Sequence, residues 1–252
     1  MRDVEQANYW NIKGENALSN LQVNPLNTAE NNRKILEMPN IRVFYQKKGR
    51  AKYISHLDIT RCMQRSLKRA KIPVWYTQGF NPHMYMTFAL PLALGYESEC
   101  EAMDLRLTQL VDFERMKTQL NQALPVDIQV VKIALQNHKP QEIAKASYAI
   151  TFLPEDVTDF EQQFDEFCNQ SEIVVIKKTK KGTKPMDVKP EFEILTKERL
   201  ADRIVYHMVF TAGQKNINPT LLTDAFLQRY PDEVIVQILR KQIYLQDNQI
   251  FE

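Results

Sequence analysis

From Ile41 onward, apolar and polar positions recur regularly enough to predict elements. Ile41, Val43 and Tyr45 alternate with Arg42, Phe44 and Gln46, a period of two that predicts a strand. Lys47-Lys48-Gly49-Arg50 predicts a tight basic turn, and Ala51–Ile54 a return strand. Ser55 has the side chain of a helix N-cap, and Asp58 sits where a capping box places its acid. The helix that follows is expected from His56 to Ala70. Ile59, Met63, Leu67 and Ala70 share its apolar face with Cys62 and Ser66 beside them, while Arg61, Arg65, Lys68 and Arg69 fall on the opposite face.

Further along, Val74–Thr77 and Met84–Leu90 read as strands on either side of a loop, Gln78-Gly79-Phe80-Asn81-Pro82-His83. Alternation over Ala102–Leu107 predicts another strand. Phe113, Met116, Leu120 and Leu124 mark an amphipathic helix, and Ile128–Ala134 a closing strand. With two extra strands allowed for, residues 41–135 follow the βαββαβ ferredoxin-like plan.

Residues 136–146 are polar, contain Pro140 and read as a linker. The plan then repeats over 147–252. Tyr148–Phe152 and Ile173–Lys177 read as strands around a helix, Val157–Asn169, that turns Phe160, Phe164 and Phe167 inward. Met186–Val188 and Phe192–Leu195 are weaker segments. Ile204–Phe210 is a strand, Asn218–Arg229 a helix opened by Pro219, and Val234–Leu239 a last strand. The expected fold class is α+β, two tandem ferredoxin-like halves with antiparallel sheets. Residues 1–40 break every period with asparagines such as Asn8, Asn16, Asn24 and Asn32, and predict a flexible extension.

Composition narrows the function classes. Hydrophobic residues make up 44% and charged residues 25%, the balance of a soluble globular chain. Six glycines argue against a glycine-rich nucleotide fold, and a net charge of +2 requires any basic surface to come from local clustering. Cys62, Cys100 and Cys168 form no CxxC pair, so no disulfide framework, zinc ribbon or iron–sulfur cluster can be read from them, and core or reduced surface thiols are the better reading. No signal pattern and no long apolar run occur, so the expected location is cytoplasmic, away from membranes. The motifs GxSxG, GxGxxG, HExxH and the P-loop are all missing.

Three features carry candidate chemistry. His56, Asp58 and His83 bring together the side-chain types that move protons near neutral pH. As a bland alternative, Asp58 caps the helix and each histidine is merely ordered. Two histidines so placed match no metal-ligand spacing, so no metal or cofactor is expected.

The second feature is a run of cations, Lys47, Lys48, Arg50 and Lys52 before the helix, then Arg61, Arg65, Lys68, Arg69 and Lys71 on it. Close to Tyr53, Trp75, Tyr76 and Phe80, these combine phosphate neutralisation with surfaces for base stacking, the logic of RNA recognition. A solvated helix face is the alternative. The third feature is the lysine-rich turn with Lys180 and Lys181, which either touches phosphate or blocks edge pairing.

Several strings are specific enough to name a family. Lys48-Gly49-Arg50 with Tyr53-Ile54-Ser55-His56-Leu57-Asp58, then Gln78 through His83, then Phe88-Ala89-Leu90-Pro91-Leu92 and Gly95-Tyr96-Glu97-Ser98, resemble the radical SAM-linked protein family. That is a bacterial domain of unknown function, fused to radical SAM proteins or encoded beside them. Lys180-Lys181-Gly182 with Asp187 and Pro190 looks like the family's second block, and Arg240 with Tyr244 like its last. Met84 and Tyr85 depart from the pattern, which usually has a proline and a basic residue there.

The resemblance implies a separately encoded radical SAM partner, and the missing CxxxCxxC motif fits a chain that does not perform that chemistry itself. The leading expectation is a non-catalytic accessory that binds RNA or a phosphate-bearing ligand. Its ligand residues would be Lys48, Arg50, Ser55, Arg61, Arg65, Lys68, Arg69, Phe80, Asn81, Lys180 and Lys181. The rivals are an RNA-processing enzyme using His56 and His83, and a protein-binding adaptor using the acidic Glu97, Glu99 and Glu101.

Overall fold

The computed structural model describes Asn40–Glu252, apart from Lys180, Lys181 and Pro231. The extension expected over residues 1–40 therefore lies outside the described residues, Asn40 excepted. The chain begins with β1 (Ile41–Lys47), α1 (His56–Arg69), β2 (Met86–Phe88), β3 (Glu97–Leu105), α2 (Phe113–Ala123) and β4 (Ile128–Leu135). It continues with β5 (Ile143–Leu153), α3 (Val157–Cys168), β6 (Val174–Thr179), β7 (Gly182–Asp187) and β8 (Phe192–Arg199). The last elements are β9 (Ile204–Thr211), α4 (Thr220–Leu227) and β10 (Ile235–Leu245). None of the described helices is long and apolar enough to cross a membrane.

The fold is α+β with a mainly antiparallel sheet. Its strand order is β4-β1-β3-β10-β5-β9-β8, with β2 also on β3, and β6–β7 form a separate hairpin. Among the described strands only the β3–β10 pair is parallel. The β3–β10 contact has a simple origin. β2 is three residues long and covers only the Met103–Leu105 end of β3. The other end, Glu97 and Ser98, is left for β10, which pairs there through Leu239 and Arg240 and joins the two halves into one sheet. An unpaired strand edge leaves backbone donors and acceptors open, and β10 satisfies them.

Two expected strands take another form. Ala51–Ile54 falls mostly within a 3-10 turn, Gly49–Tyr53. Its backbone groups find partners across the fold: Lys48 N–H donates to the Asp127 carbonyl at 2.9 Å and Gly49 N–H to Glu97 at 3.0 Å. Arg50 N–H donates to the Asp127 carboxylate at 3.2 Å. With its donors satisfied this way, the turn needs no return strand. Val74–Thr77 makes only isolated bridges, Val74 to Leu107 and Tyr76 to Met84. β5 begins at Ile143, so the polar run 136–146 holds a short 3-10 turn and the start of a long strand.

The core of the second half follows from the pattern. On β9, Ile204, Tyr206, Met208 and Phe210 are buried at alternate positions. Phe160, Phe164 and Phe167 of α3 meet this layer, with Phe164 4.8 Å from Tyr206 and Phe160 5.3 Å from Phe226 of α4. Each such ring contributes about 1.5–3 kcal/mol by burial. In the first half, Ser66 on α1 donates to the Ala123 carbonyl at the end of α2, and Asn121 bonds both backbone groups of Val130 on β4. These bonds hold α1 against α2 and α2 against the sheet.

The helix that carries the basic face is closed sharply. Ile72 N–H donates to the Leu67 carbonyl and Lys71 N–H to that of Lys68, the paired bonds of a Schellman end. Lys71 therefore takes φ of 55°, which favours glycine. Lys71→Gly is expected to raise unfolding stability by about 1 kcal/mol, since a left-handed non-glycine residue costs roughly that much. Urea melts of the two proteins measure it, and an unchanged midpoint would contradict the strain.

Candidate functional site

Ser55, His56 and Asp58 form a tight start to α1. The Ser55 hydroxyl accepts from Asp58 N–H at 3.2 Å and donates to the Asp58 carboxylate at 2.7 Å. Asp58 thus takes the hydroxyl of its own cap, because an aspartate is a methylene shorter than the usual capping-box glutamate. Its other oxygen accepts from Arg61 at 3.1 Å. The Ser55 hydroxyl first, and Arg61 second, hold the Asp58 carboxyl below the usual carboxylate range. Asp58 is therefore anionic near neutral pH and tethers Arg61.

Arg61, Arg65 and Arg69 recur every four residues and line one open groove of about 320 Å³ with Asp58 and Cys62. The side chains of Arg65 and Lys68 are exposed and make no hydrogen bond or ion pair with other described residues. Arg69 is different: it donates to the Ala123 carbonyl and to Ser66, which ties it to the end of α2. That carbonyl end carries partial negative charge, so part of the Arg69 charge is used in packing. Cys62 was expected among the buried positions, but it is half-buried and lies on this groove. A wide apolar face on a surface helix ends in half-buried flanks, and Cys62 occupies one.

The other candidates are spread around the groove and beyond it. Lys48 pairs with Glu99 at 2.9 Å, while the Arg50 side chain is 92% exposed and 3.8 Å from Asp127. Phe80 is fully exposed, and Asn81 lies beside it in an exposed loop. His83 sits in that loop with its Nδ1 3.0 Å from the Thr77 hydroxyl and 3.2 Å from the Asn81 carbonyl. His56 packs edge-on against Phe88, with ring centres 4.9 Å apart. No hydrogen bond, ion pair or ring contact joins His56 to His83. Lys180 and Lys181 lie outside the described residues. Among those described, no group of three or more His, Cys, Asp or Glu is placed to hold a metal ion.

A family of proteins described as uncharacterised and conserved in bacteria, DUF2344, matches residues 40–219. The chain belongs to that family. No curated protein matches it. Among solved structures, a chain of a Cbf5–Nop10–Gar1 complex is similar at 9% identity over 81% of this chain, with a TM-score of 0.43. The chain spans 48% of that protein's length. An unknown protein from Galdieria sulphuraria is similar at 13% identity over 79% of this chain and 96% of its own, with a TM-score of 0.24. The DUF2344 match covers the whole α1 groove and the exposed loop of Phe80 and His83, and it ends just before α4.

Within this DUF2344 chain, several charged residues that alternation alone places at the surface are buried. Arg42 and Asp104 form a two-point ion pair at 2.7 and 3.0 Å, both nearly inaccessible, and Arg42 also donates to the His138 carbonyl. Arg240 pairs with Glu101 and donates to the Leu90 carbonyl at 2.7 Å. Lys47 is buried as well and donates to the Ile54 carbonyl. For Arg240, burial works to lower the pKa, but Glu101, Tyr148 and Cys100 together raise it above the usual arginine value.

The expected acidic patch is accordingly not free. Glu101 is consumed by Arg240, Glu97 accepts from Gly49 N–H, and Glu99 bridges Lys48 and Lys241. Burial works against the Glu99 charge, yet those two lysines bring its carboxyl below the usual range.

The cysteines differ in the same way. Burial pushes the Cys100 and Cys168 thiols up to about 12. A thiol must ionise to react, so both are inert near neutral pH. Iodoacetamide at pH 8 is expected to modify Cys62 first in the folded protein, with Cys100 and Cys168 following only on denaturation. Peptide mapping by mass spectrometry checks the order, and early labelling at Cys168 would contradict the burial.

Proposed function

We propose that this protein is a non-catalytic, cytoplasmic RNA-binding accessory that acts with a separate radical SAM enzyme. One observation carries the RNA part: Arg61, Arg65 and Arg69 line a single open groove on α1. Three guanidiniums against one carboxylate leave the groove positive, and guanidinium groups are suited to phosphate oxygens. Arg65 is the freest and takes phosphate directly. Arg61, held by Asp58, is oriented in advance, and Arg69 contributes field from its anchored position. The exposed rings of Tyr53 and Phe80 offer stacking surfaces for unpaired bases on the same half of the chain.

The radical SAM partner is supported by the strings around Ser55–Asp58 and Gly79–His83 that resemble the radical SAM-linked family. Two tandem ferredoxin-like halves are the finer reading of the fold. They are supported by the strand orders β4-β1-β3-β2 and β10-β5-β9-β8, in which the fourth strand lies beside the first and the third beside the second.

RNA binding is tested by titrating the purified full chain into labelled single-stranded RNA across a salt series. The expected result is affinity that falls steeply as salt rises, as phosphate-dominated binding does. Absence of binding at low salt would overturn the RNA reading. The partner is tested separately, by co-purification with a radical SAM protein encoded beside this chain, and failure to co-purify would overturn that part alone.

A further inference from the structure

An arginine and two aromatic rings meet on the sheet of the first half, outside the α1 groove. Trp75 N–H donates to the Arg106 carbonyl at 2.8 Å, and Tyr85 N–H to the Trp75 carbonyl at 3.0 Å, which sets the three residues side by side. Their chain neighbours Val74, Met84 and Leu107 are buried. Alternation therefore turns Trp75, Tyr85 and Arg106 to the opposite face, where each is half-buried. The Arg106 guanidinium lies over both rings, 5.3 Å from the centre of Trp75 and 5.0 Å from that of Tyr85. The two rings stand at 62° to each other.

Arg106 is also held from the side. Its Nε donates to Asn40 at 3.1 Å, Asn40 donates to Gln136 at 3.0 Å, and Gln136 donates to Asp104 at 2.7 Å. That relay ends on a buried ion pair in which Asp104 is committed to Arg42. Two rings and one hydrogen bond thus fix the guanidinium, while its two Nη groups have no partner among the described residues. A guanidinium pinned in this way presents a pair of donors in one plane.

The surroundings select the acceptor. Aromatic faces carry partial negative charge, which draws the guanidinium and opposes a phosphate or carboxylate brought to the same edge. Among the described residues no second cation touches Arg106. A neutral, flat ring with two neighbouring acceptors suits both the donors and the rings. Guanine offers this with O6 and N7, whereas adenine sets a donor beside its N7. The cluster is also within reach of the basic helix, since Trp75 follows Arg69 by six residues. Six residues span at most about 20 Å.

We propose, resting on the RNA reading of α1, that the Trp75–Tyr85–Arg106 cluster recognises one unpaired guanine of the bound strand. The Arg106 Nη groups donate to guanine O6 and N7, and the Trp75 and Tyr85 rings pack against the base. Phosphate contacts along α1 carry no sequence information, so this cluster is what makes binding selective for guanine.

The test uses the full chain and labelled RNA octamers, either all-uridine or with one central guanine, adenine, cytosine or 7-deazaguanine. The guanine octamer is expected to bind about tenfold tighter than the adenine, cytosine and all-uridine octamers, the lower end for a two-point base contact. 7-Deazaguanine keeps O6 and lacks N7, and should lose most of that advantage. Arg106→Lys should bring guanine and adenine octamers to parity, with circular dichroism confirming the fold. The 7-deazaguanine comparison needs no variant. Cytosine as good as guanine, an undiminished 7-deazaguanine, or a guanine preference kept in folded Arg106→Lys would overturn the proposal. Binding without base preference overturns this proposal alone, whereas failure of every octamer to bind at low salt overturns the RNA reading together with it.

Discussion

Reversing charge at Arg61 and Arg65 together is expected to weaken single-stranded RNA binding by about a hundredfold or more. Each arginine offers charge-assisted hydrogen bonds, worth about 1.5–3 kcal/mol when lost, and two together reach that factor. Glutamates in their places also stand near Asp58, so the groove turns from positive to negative. Single-stranded binding loses about 0.7 from its log–log salt slope for each phosphate contact removed, so the slope should flatten by about 1.4.

The fold should tolerate the change. The Arg61 side chain is 55% exposed, and among the described residues Asp58 is its only ion-pair partner and Arg65 has none. Like charges four apart on an exposed helix cost only about 0.2–0.5 kcal/mol. Anisotropy titrations in a salt series, with circular dichroism as the control, measure both parts. Unchanged affinity in a natively folded variant would remove the groove from the account of RNA binding.

Arg42→Ala is expected to destabilise the protein by about 3–5 kcal/mol, the loss typical when one member of a buried ion pair is removed. The argument lies in what remains. Asp104 keeps the bond from Gln136 at 2.7 Å but loses both bonds from Arg42, and its carboxylate stays 2% exposed. The His138 carbonyl also loses its donor, and Phe251 loses a guanidinium that lies 4.0 Å from its ring centre.

By the same reasoning the double change Arg42→Met/Asp104→Leu should recover most of the loss, because it removes both charges along with their desolvation cost. Urea denaturation of the single and double variants closes the cycle. A loss below about 1 kcal/mol for Arg42→Ala would mean that water reaches Asp104 once the arginine is gone.

Local physics was readable wherever a residue's partner lies within a few positions. The period-four face of α1, its Ser55 cap and its basic stripe depend on residues three or four apart, and all can be placed from the sequence. The order of strands and helices was readable for the same reason, since each element carries its own period. Composition misled at Ala51–Ile54, where a basic turn and an apolar alternation suggested a hairpin. Asp127 and Glu97, far along the chain, take the backbone donors that a return strand would have used.

Burial of charge was not readable. Alternation on β1 assigns Arg42 to the face opposite Val43, but only the fold brings Asp104, the His138 carbonyl and Phe251 onto that face. Glu101 looked like part of an acidic surface because its partner, Arg240, lies on β10, where it pairs with β3.

The sequence by itself determined most of the elements and their order, the cap and the basic helix face, because those rest on short-range periodicity and side-chain chemistry. Only the tertiary structure decided that the two halves share one sheet and that the acidic patch is spent on ion pairs. Those outcomes depend on which distant strand edge a short β2 leaves uncovered, and a buried charge is tolerated only where its distant partner arrives.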